Sequence, residues 1–237
     1  MISQTPPPVP PRSHTGPIVA VAAGRFVSFG DSLTYGTISS ADGTMLYEMP
    51  SQSYPERLRL GLERYNRPPG LAPGAYFSVA NRGIPGETAA QGTSRLPSVL
   101  ATDRPQVLLL LEGVNDLGAG RSVAATLSSL EALLNTARLY NVPVVMATMF
   151  QTYQVETPDG RMRENAATLI SPFNSGIRQL ASGRTNVFLV DLEAVFGSNR
   201  SLVGGDGLHP TEQGYEVMAT AFMTVIETSF PVRGSFQ

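Results

Sequence analysis

Three residues in this sequence have the types and the spacing for acyl transfer. Ser32 follows a short apolar run, Phe26 to Phe29, so its hydroxyl is expected just beyond the end of a buried strand. A serine hydroxyl is a poor nucleophile until a base removes its proton. His209 can supply that base, and Asp206, three residues before it, can orient the imidazole and stabilise the imidazolium. The set predicts a Ser-His-Asp catalytic triad.

The composition leaves few other nucleophiles or bases. Cysteine is absent and all 17 basic residues are arginine, which excludes thiolate nucleophiles, Schiff-base lysines and phosphate-loop lysines. Of the two histidines, His14 lies in a low-complexity N-terminal segment. His209 is therefore the base that remains. One histidine in the folded body and no cysteine make a poor ligand set for a metal, and we expect neither a metal nor a cofactor.

An acyl-transfer site also needs hydrogen-bond donors directed at the oxygen of the tetrahedral intermediate. The candidates are the backbone amides of Ser32 and Gly86 and the side-chain amide of Asn115, which does not titrate and stays a donor at any working pH. Within its turn-rich segment, Gly86 is preferred by its position immediately before Glu87. Gly83 is the alternative.

Each candidate also has an ordinary structural interpretation. Ser32 alone would be a turn serine, Asn115 a helix cap and His209 a structural histidine. Asp191, at the end of the last predicted strand, is a rival orienting acid, but Asp206 has the local spacing to the histidine. The joint occurrence of the set at compatible strand ends favours a catalytic site.

The apolar patterning predicts alternating strands and helices that would position these residues. We expect strands at residues 26–29, 76–80, 105–111, 142–148 and 187–190, and helices at 51–66, 88–101, 122–140, 164–181 and 211–228. Such alternation indicates an α/β fold with a parallel sheet and helices on both faces. We expect residues 38–50 and 151–162 to be loops, the second a mobile rim, and Pro172 to kink the fourth helix.

Length and charge set the limits of domain organisation and partners. With 237 residues and 42% hydrophobic content, we expect one domain at residues 25–230, a Pro-rich N-terminal linker or leader at 1–24 and a C-terminal tail at 231–237. A net charge of −2 and scattered charges argue against nucleic acid or an anionic membrane as partner. No apolar run is long enough for a membrane span. Export with the leader missing and cytoplasmic residence both stay open, as does the oligomeric state.

Four blocks of the sequence resemble those of the GDSL esterase/lipase group of the SGNH hydrolase superfamily. They are Gly-Asp-Ser-Leu at 30–33, the segment 81–88, Gly-Val-Asn-Asp at 113–116 and Asp-Gly-Leu-His-Pro at 206–210. A single block is a weak signal, whereas four in this order across the folded body are specific.

The resemblance implies a three-layer α/β/α sandwich with a flavodoxin-like, five-stranded parallel sheet. It also implies Ser32, Asp206 and His209 as the triad and Ser32, Gly86 and Asn115 as the oxyanion hole. The predicted function is a serine esterase that hydrolyses carboxylic esters with short to medium acyl groups through an acyl-enzyme. A carbohydrate acetylesterase with the same triad is the alternative, so the expected partner is a small-molecule ester or an acetylated saccharide. A non-catalytic ester- or glycan-binding domain is the alternative of another class.

Overall fold

The computed structural model describes residues 21–72, 74, 76–157 and 159–231. Most of the predicted linker, with His14, and nearly all of the predicted tail lie outside the described residues. Val21 and Ala23 are buried in the hydrophobic core, and Val21 forms an antiparallel bridge with Pro231. The core therefore includes residues that precede residue 25.

Nine strands and eight α-helices follow one another along the described residues. The strands are β1 Arg25–Gly30, β2 Thr37–Ser39, β3 Leu46–Glu48, β4 Ser78–Gly83, β5 Val107–Leu111, β6 Val144–Ala147, β7 Val155–Glu156, β8 Met162–Arg163 and β9 Val187–Val190. The helices are α1 Ser32–Tyr35, α2 Tyr54–Tyr65, α3 Ala89–Asp103, α4 Val114–Gly118, α5 Val123–Leu139, α6 Ile170–Ser182, α7 Leu192–Phe196 and α8 Glu212–Ser229. Short 3₁₀ turns lie at Pro50–Gln52 and Arg200–Leu202.

The five longer strands form one parallel sheet in the order β4-β1-β5-β6-β9. Helices α2 and α8 pack together as one layer, and α3, α5 and α6 form the other. The predicted α/β/α sandwich with a five-stranded parallel sheet is confirmed. All five residues of β5 are buried, as expected of a strand covered on both faces.

The strand order places a topological switch point at β1. The chain leaves β1 for its neighbour β4 on one side and later enters β5 on the other side. In such sheets a crevice opens outside the carboxyl ends of the strands at the switch point. Ser32 directly follows β1 and Asn115 follows β5 by a few residues, so both lie at this crevice.

Several sequence predictions about the elements were wrong in detail. Two short antiparallel hairpins, β2–β3 and β7–β8, occupy most of the two predicted loops, because strands of only two or three residues are too short to show a hydrophobic alternation. Strand β4 extends to Gly83 because every residue of β1 pairs with it, despite the turn-forming composition of its end. Helix α6 begins at Ile170 rather than at residue 164, so Pro172 lies in its first turn, where proline is tolerated.

Candidate active site

A tight turn at the end of β1 presents Ser32. Asp31 caps α1, since its Oδ1 accepts the N–H of Leu33 at 2.8 Å, and Gly36 ends the helix in the left-handed region at φ 111°. A side chain at Gly30 would overlap Thr34 and the carbonyl of β5 beside it. The turn is therefore pressed against the sheet, and the serine stands at a fixed place above it.

The structure brings the three predicted triad residues into contact. His209 Nε2 lies 3.0 Å from Ser32 Oγ, and His209 Nδ1 lies 2.6 Å from Asp206 Oδ2. All three side chains are buried. Burial works to raise the pKa of Asp206, but its hydrogen bond to His209 and the charge of that ring hold the pKa below its usual value.

The loop that carries the acid and the histidine is internally bonded and packed on a hairpin. Asp206 Oδ1 accepts the N–H groups of Leu208 at 3.1 Å and His209 at 3.0 Å. Gly205 lies backbone to backbone against Gly43 in the β2–β3 turn, and a side chain on either glycine would overlap the other segment. The loop is thus tied both within itself and to its neighbour.

The rival acid, Asp191, is engaged elsewhere. Its carboxylate accepts two hydrogen bonds from Arg178, at 2.8 and 3.0 Å, and one from Thr148 at 3.2 Å. It also caps α7 by accepting the N–H of Ala194. These contacts give Asp191 a structural role at the end of β9.

The three candidate oxyanion donors differ in their present partners. Asn115 Nδ2 donates to the carbonyl of Glu87 at 2.8 Å and lies 3.3 Å from Asp31 Oδ2. Within the described part of the chain, no acceptor is bonded to the backbone N–H of Ser32 or of Gly86. Gly86 is exposed and has φ 80°. The alternative, Gly83, already donates its N–H to Asn81 Oδ1 at 3.0 Å.

A cluster of buried carboxyl groups beside the turn was not predicted from the sequence. It consists of Asp31, Glu87 and Glu112, with Arg95 as the cation that pairs with Glu87 and stacks on the Phe29 ring. Burial, together with the charges of Asp31 and Glu87, raises the pKa of Glu112 well above its ordinary value. Neither Glu112 oxygen has a hydrogen bond of ordinary geometry among the described residues, and the neighbouring Glu87 carboxyl group adds to the rise in pKa. The environment thus favours the protonated form of Glu112 over the charged one.

A cavity of about 490 Å³ opens next to Asn115 and Leu208, the residue before the histidine. Its apolar wall includes Val114, Leu117 and Leu169. The polar residues Arg163, Glu164 and Asn165 also line it. Its volume lies in the range usual for small-molecule sites.

Across residues 21–72, 74, 76–157 and 159–231, no three His, Asp or Glu side chains are grouped as a metal would require. In the same ranges, no helix combines the length and the apolar character that crossing a bilayer would require.

A hydrogen-bonded Ser, His and Asp at the carboxyl edge of a parallel α/β sheet define a class of hydrolase-like proteins. Residues 28–217 match the GDSL-like Lipase/Acylhydrolase family, and the chain belongs to this family. It is accordingly a carboxylic ester hydrolase, as predicted from the four sequence blocks. Comparison with curated proteins gives no significant match.

Solved structures with the same fold include several esterases. The inhibitor-bound aryl esterase of M. smegmatis is 21% identical, with a TM-score of 0.72 over 87% of this chain and 99% of that one. A carbohydrate acetylesterase from Sinorhizobium meliloti is 16% identical, with a TM-score of 0.73 over 87% and 100%. A family 3 carbohydrate esterase from Clostridium thermocellum is 21% identical, with a TM-score of 0.62 over 85% and 94%. At these identities the likeness establishes the fold.

Proposed function

We propose that the protein hydrolyses small-molecule carboxylic esters with short to medium acyl groups, through an acyl-enzyme formed on Ser32. The observation that carries this proposal is the unbroken chain of contacts from Ser32 Oγ to His209 Nε2 at 3.0 Å and from His209 Nδ1 to Asp206 Oδ2 at 2.6 Å. These distances suit proton transfer from the hydroxyl to the ring.

In the first half of the reaction, Ser32 Oγ attacks the carbonyl carbon of the ester while His209 Nε2 takes the hydroxyl proton. The tetrahedral intermediate then breaks its bond to the alcohol oxygen, which leaves with that proton, and the acyl group stays on the serine. Asp206 keeps the proton of Nδ1 in place and stabilises the imidazolium. In the second half, His209 Nε2 takes a proton from a water molecule while the water oxygen attacks the acyl carbon. The second tetrahedral intermediate then breaks its bond to Ser32 Oγ, which takes that proton back from His209, and the carboxylic acid leaves.

For the oxyanion hole we propose the N–H groups of Ser32 and Gly86 with the side-chain amide of Asn115. The support for Gly86 over Gly83 is that its N–H is unengaged among the described residues, whereas that of Gly83 is bonded to Asn81. The N–H groups of Ser32 and Gly86 can therefore bond to the negatively charged oxygen of the intermediate without giving up a hydrogen bond within the protein. Asn115 is held beside them by the carbonyl of Glu87.

The preference for short to medium acyl groups rests on the size and walls of the neighbouring cavity. The cavity has a volume of about 490 Å³, and its lining by Val114, Leu117 and Leu169 suits a compact apolar group. Polar residues make up the rest of the lining. An aryl or alkyl ester with a short acyl chain therefore fits better than a long-chain triglyceride.

The direct test is reaction of the purified protein with a fluorophosphonate probe together with ester turnover. We expect one label per chain on Ser32 and loss of both labelling and turnover in Ser32→Ala. His209→Ala should lose most turnover, by a factor of about 10³ or more, because the serine then has no base. His14→Ala, which changes the other histidine, serves as the matched control and should keep full turnover. Near-normal turnover in His209→Ala would contradict the proposed mechanism.

Deacetylation of a carbohydrate by the same triad is the second candidate. The observation that favours it is the polar part of the cavity lining, where Arg163 and Glu164 could bond to sugar hydroxyls. Acetylated xylan and acetylated monosaccharides, compared with aryl and alkyl acetates on the same preparation, separate the two candidates. Much faster turnover of the sugars would favour deacetylation, and a complete failure to react with the probe would favour a non-catalytic binding domain.

A further inference from the structure

Asn165 lies between the β7–β8 hairpin and α6, in a backbone conformation that most residues avoid. Its φ is 49°, in the left-handed region where asparagine is one of the better tolerated residues. Thr152 Oγ1 donates to its carbonyl oxygen at 2.6 Å. The backbone at this position is therefore fixed, and with it the direction of the side chain.

The Asn165 amide joins the rim segment, residues 151–165, to the loop of the candidate acid. Its Nδ2 donates to the carbonyl of Tyr153 at 2.8 Å and to the carbonyl of Asp206 at 2.7 Å. The N–H of Tyr153 donates in turn to the carbonyl of Gly207 at 2.8 Å. A side chain at Gly207 would overlap both Tyr153 and the Asn165 amide, so a glycine at this position is what lets the two segments approach.

Ser39 of β2 bonds the backbone of Asp206 on its other side. Ser39 Oγ accepts the N–H of Asp206 at 3.1 Å in a buried contact. The peptide group before Asp206 and the one after it are thus each bonded to a side chain, one from the β2–β3 hairpin and one from the rim. Asp206 itself is 1% exposed. Little freedom remains for the backbone that aims its carboxylate at His209.

We propose that Asn165 and Ser39 are positioning residues that fix the backbone of Asp206 and thereby the aim of its carboxylate at His209. The inference rests on the proposed function of the triad. Neither residue touches Ser32 or His209, so both act through the acid. The physical reason is that the 2.6 Å contact between Asp206 Oδ2 and His209 Nδ1 survives only while the backbone of the acid keeps its place. Misplacing a reacting group by about 1 Å costs roughly a hundredfold in rate.

The test compares the rate at which a fluorophosphonate labels Ser32 in the unchanged protein and in Asn165→Gly. Glycine keeps the left-handed backbone and removes both donors. We expect the labelling rate and kcat to fall by about tenfold or more, KM to change by less than about threefold, and labelling to remain stoichiometric. Gln154→Ala is the matched control, because its amide bonds Glu164 within the same rim segment. Its labelling rate should stay within about twofold of the unchanged protein.

Further variants make the result decisive. Ser39→Ala removes the other contact and should also slow labelling at full stoichiometry, so it decides the question if Asn165→Gly does not fold. The proposal would be overturned if the variants labelled Ser32 at the normal rate and differed only in a lower melting temperature or in a smaller fraction of labelled chains. Asn165 and Ser39 would then have a structural role only. Normal rates in both variants beside an inactive Ser32→Ala would overturn the positioning role alone. If Ser32→Ala kept its turnover, the proposed function itself would be contradicted.

Discussion

Asp31 is the carboxyl group next to the nucleophile along the chain, and it is fully buried. Its Oδ1 caps α1 and its Oδ2 lies 3.3 Å from the Asn115 amide. Burial raises the pKa of Asp31 from 3.8 to about 7, although the hydrogen bond from Leu33 and the charge of His209 act to lower it. A carboxyl group that binds its proton this tightly in the native state links folding to pH.

The sign of that linkage gives a prediction for Asp31→Asn. Between about pH 4 and pH 7 the native state holds a proton that the unfolded chain has released, so the free energy of unfolding falls as the pH rises. Asparagine keeps an acceptor for Leu33 and cannot ionise. We therefore expect the variant to gain stability relative to the unchanged protein as the pH rises through this window, with no further gain above it.

Urea unfolding at a series of pH values measures this difference. Asp159→Asn is the control: the Asp159 carboxylate is exposed, and its pKa is lowered, mainly by the hydrogen bond from Thr157. Asp159 is ionised in both the native and the unfolded state above about pH 5. The difference in free energy of unfolding between this variant and the unchanged protein should therefore not change with pH there. If the stability difference for Asp31→Asn were also independent of pH, Asp31 would not bind a proton more tightly in the native state than in the unfolded one.

At the same scale, the sequence located the triad because its signals are local or compositional. Asp206 and His209 are three residues apart, and the lack of lysine and cysteine left few partners for Ser32. Asn165 and Ser39 carried no such signal. Their bonds to Asp206 span 41 and 167 residues, and an isolated Asn or Ser has many possible roles. Contacts of that kind depend on how the loops meet, which no periodicity encodes.

At the scale of elements, the N-terminus of α3 is joined to α4 through Asp116. Its Oδ2 accepts the N–H of Ala89 at 2.6 Å, its Oδ1 lies 3.4 Å from the N–H of Ala90, and Arg121 is 3.6 Å away. Thr88 and Gln91 complete the end of the helix with a capping box. This joint holds the segment with Gly86 beside the helix that carries the Asn115 amide.

Removing the joint should destabilise the protein. Asp116→Ala leaves the buried N–H of Ala89 without its acceptor, and we expect a loss of roughly 1–3 kcal/mol in the free energy of unfolding. Urea unfolding at fixed pH measures it. Asp103→Ala at the other end of α3 is the control, because Asp103 pairs with the exposed Arg82 and its loss leaves no buried N–H group of α3 without an acceptor. Equal losses in the two variants would show that Asp116 does no more than a surface carboxylate.

The elements themselves were predictable in proportion to their length and burial. Strand β5, with its run of leucines, and helix α5, with its apolar periodicity and Ser122 cap, were predicted because long buried elements leave a clear hydrophobic pattern in the sequence. The hairpins β2–β3 and β7–β8 were missed because two- or three-residue strands depend on pairing with each other and leave no pattern in the chain. These missed hairpins are the segments that contact the loop of Asp206.

At the scale of the whole molecule, the sheet and both helix layers share one hydrophobic cluster. It runs from Val21 and β1 through the sheet to Phe222 and Ile226 of α8. We propose that the folded body is a single domain, as expected from the length and composition. Thermal unfolding should then be one cooperative transition.

Far-UV circular dichroism, tyrosine fluorescence and the loss of ester hydrolysis should give coincident unfolding curves. The chain has eight tyrosines and no tryptophan, so tyrosine is the fluorescent probe available. Two separated transitions, or activity lost well before secondary structure, would contradict a single cooperative domain.

The backbone contact between Gly43 and Gly205 limits how this protein can be recombined with its relatives. The turn of the β2–β3 hairpin and the loop of Asp206 meet with no room for a Cβ on either side. A chimera that exchanges one segment for a homologous one with a larger residue at that point would force the two apart. Crossover points should therefore keep both segments from the same parent, although 162 positions separate the two glycines in the sequence.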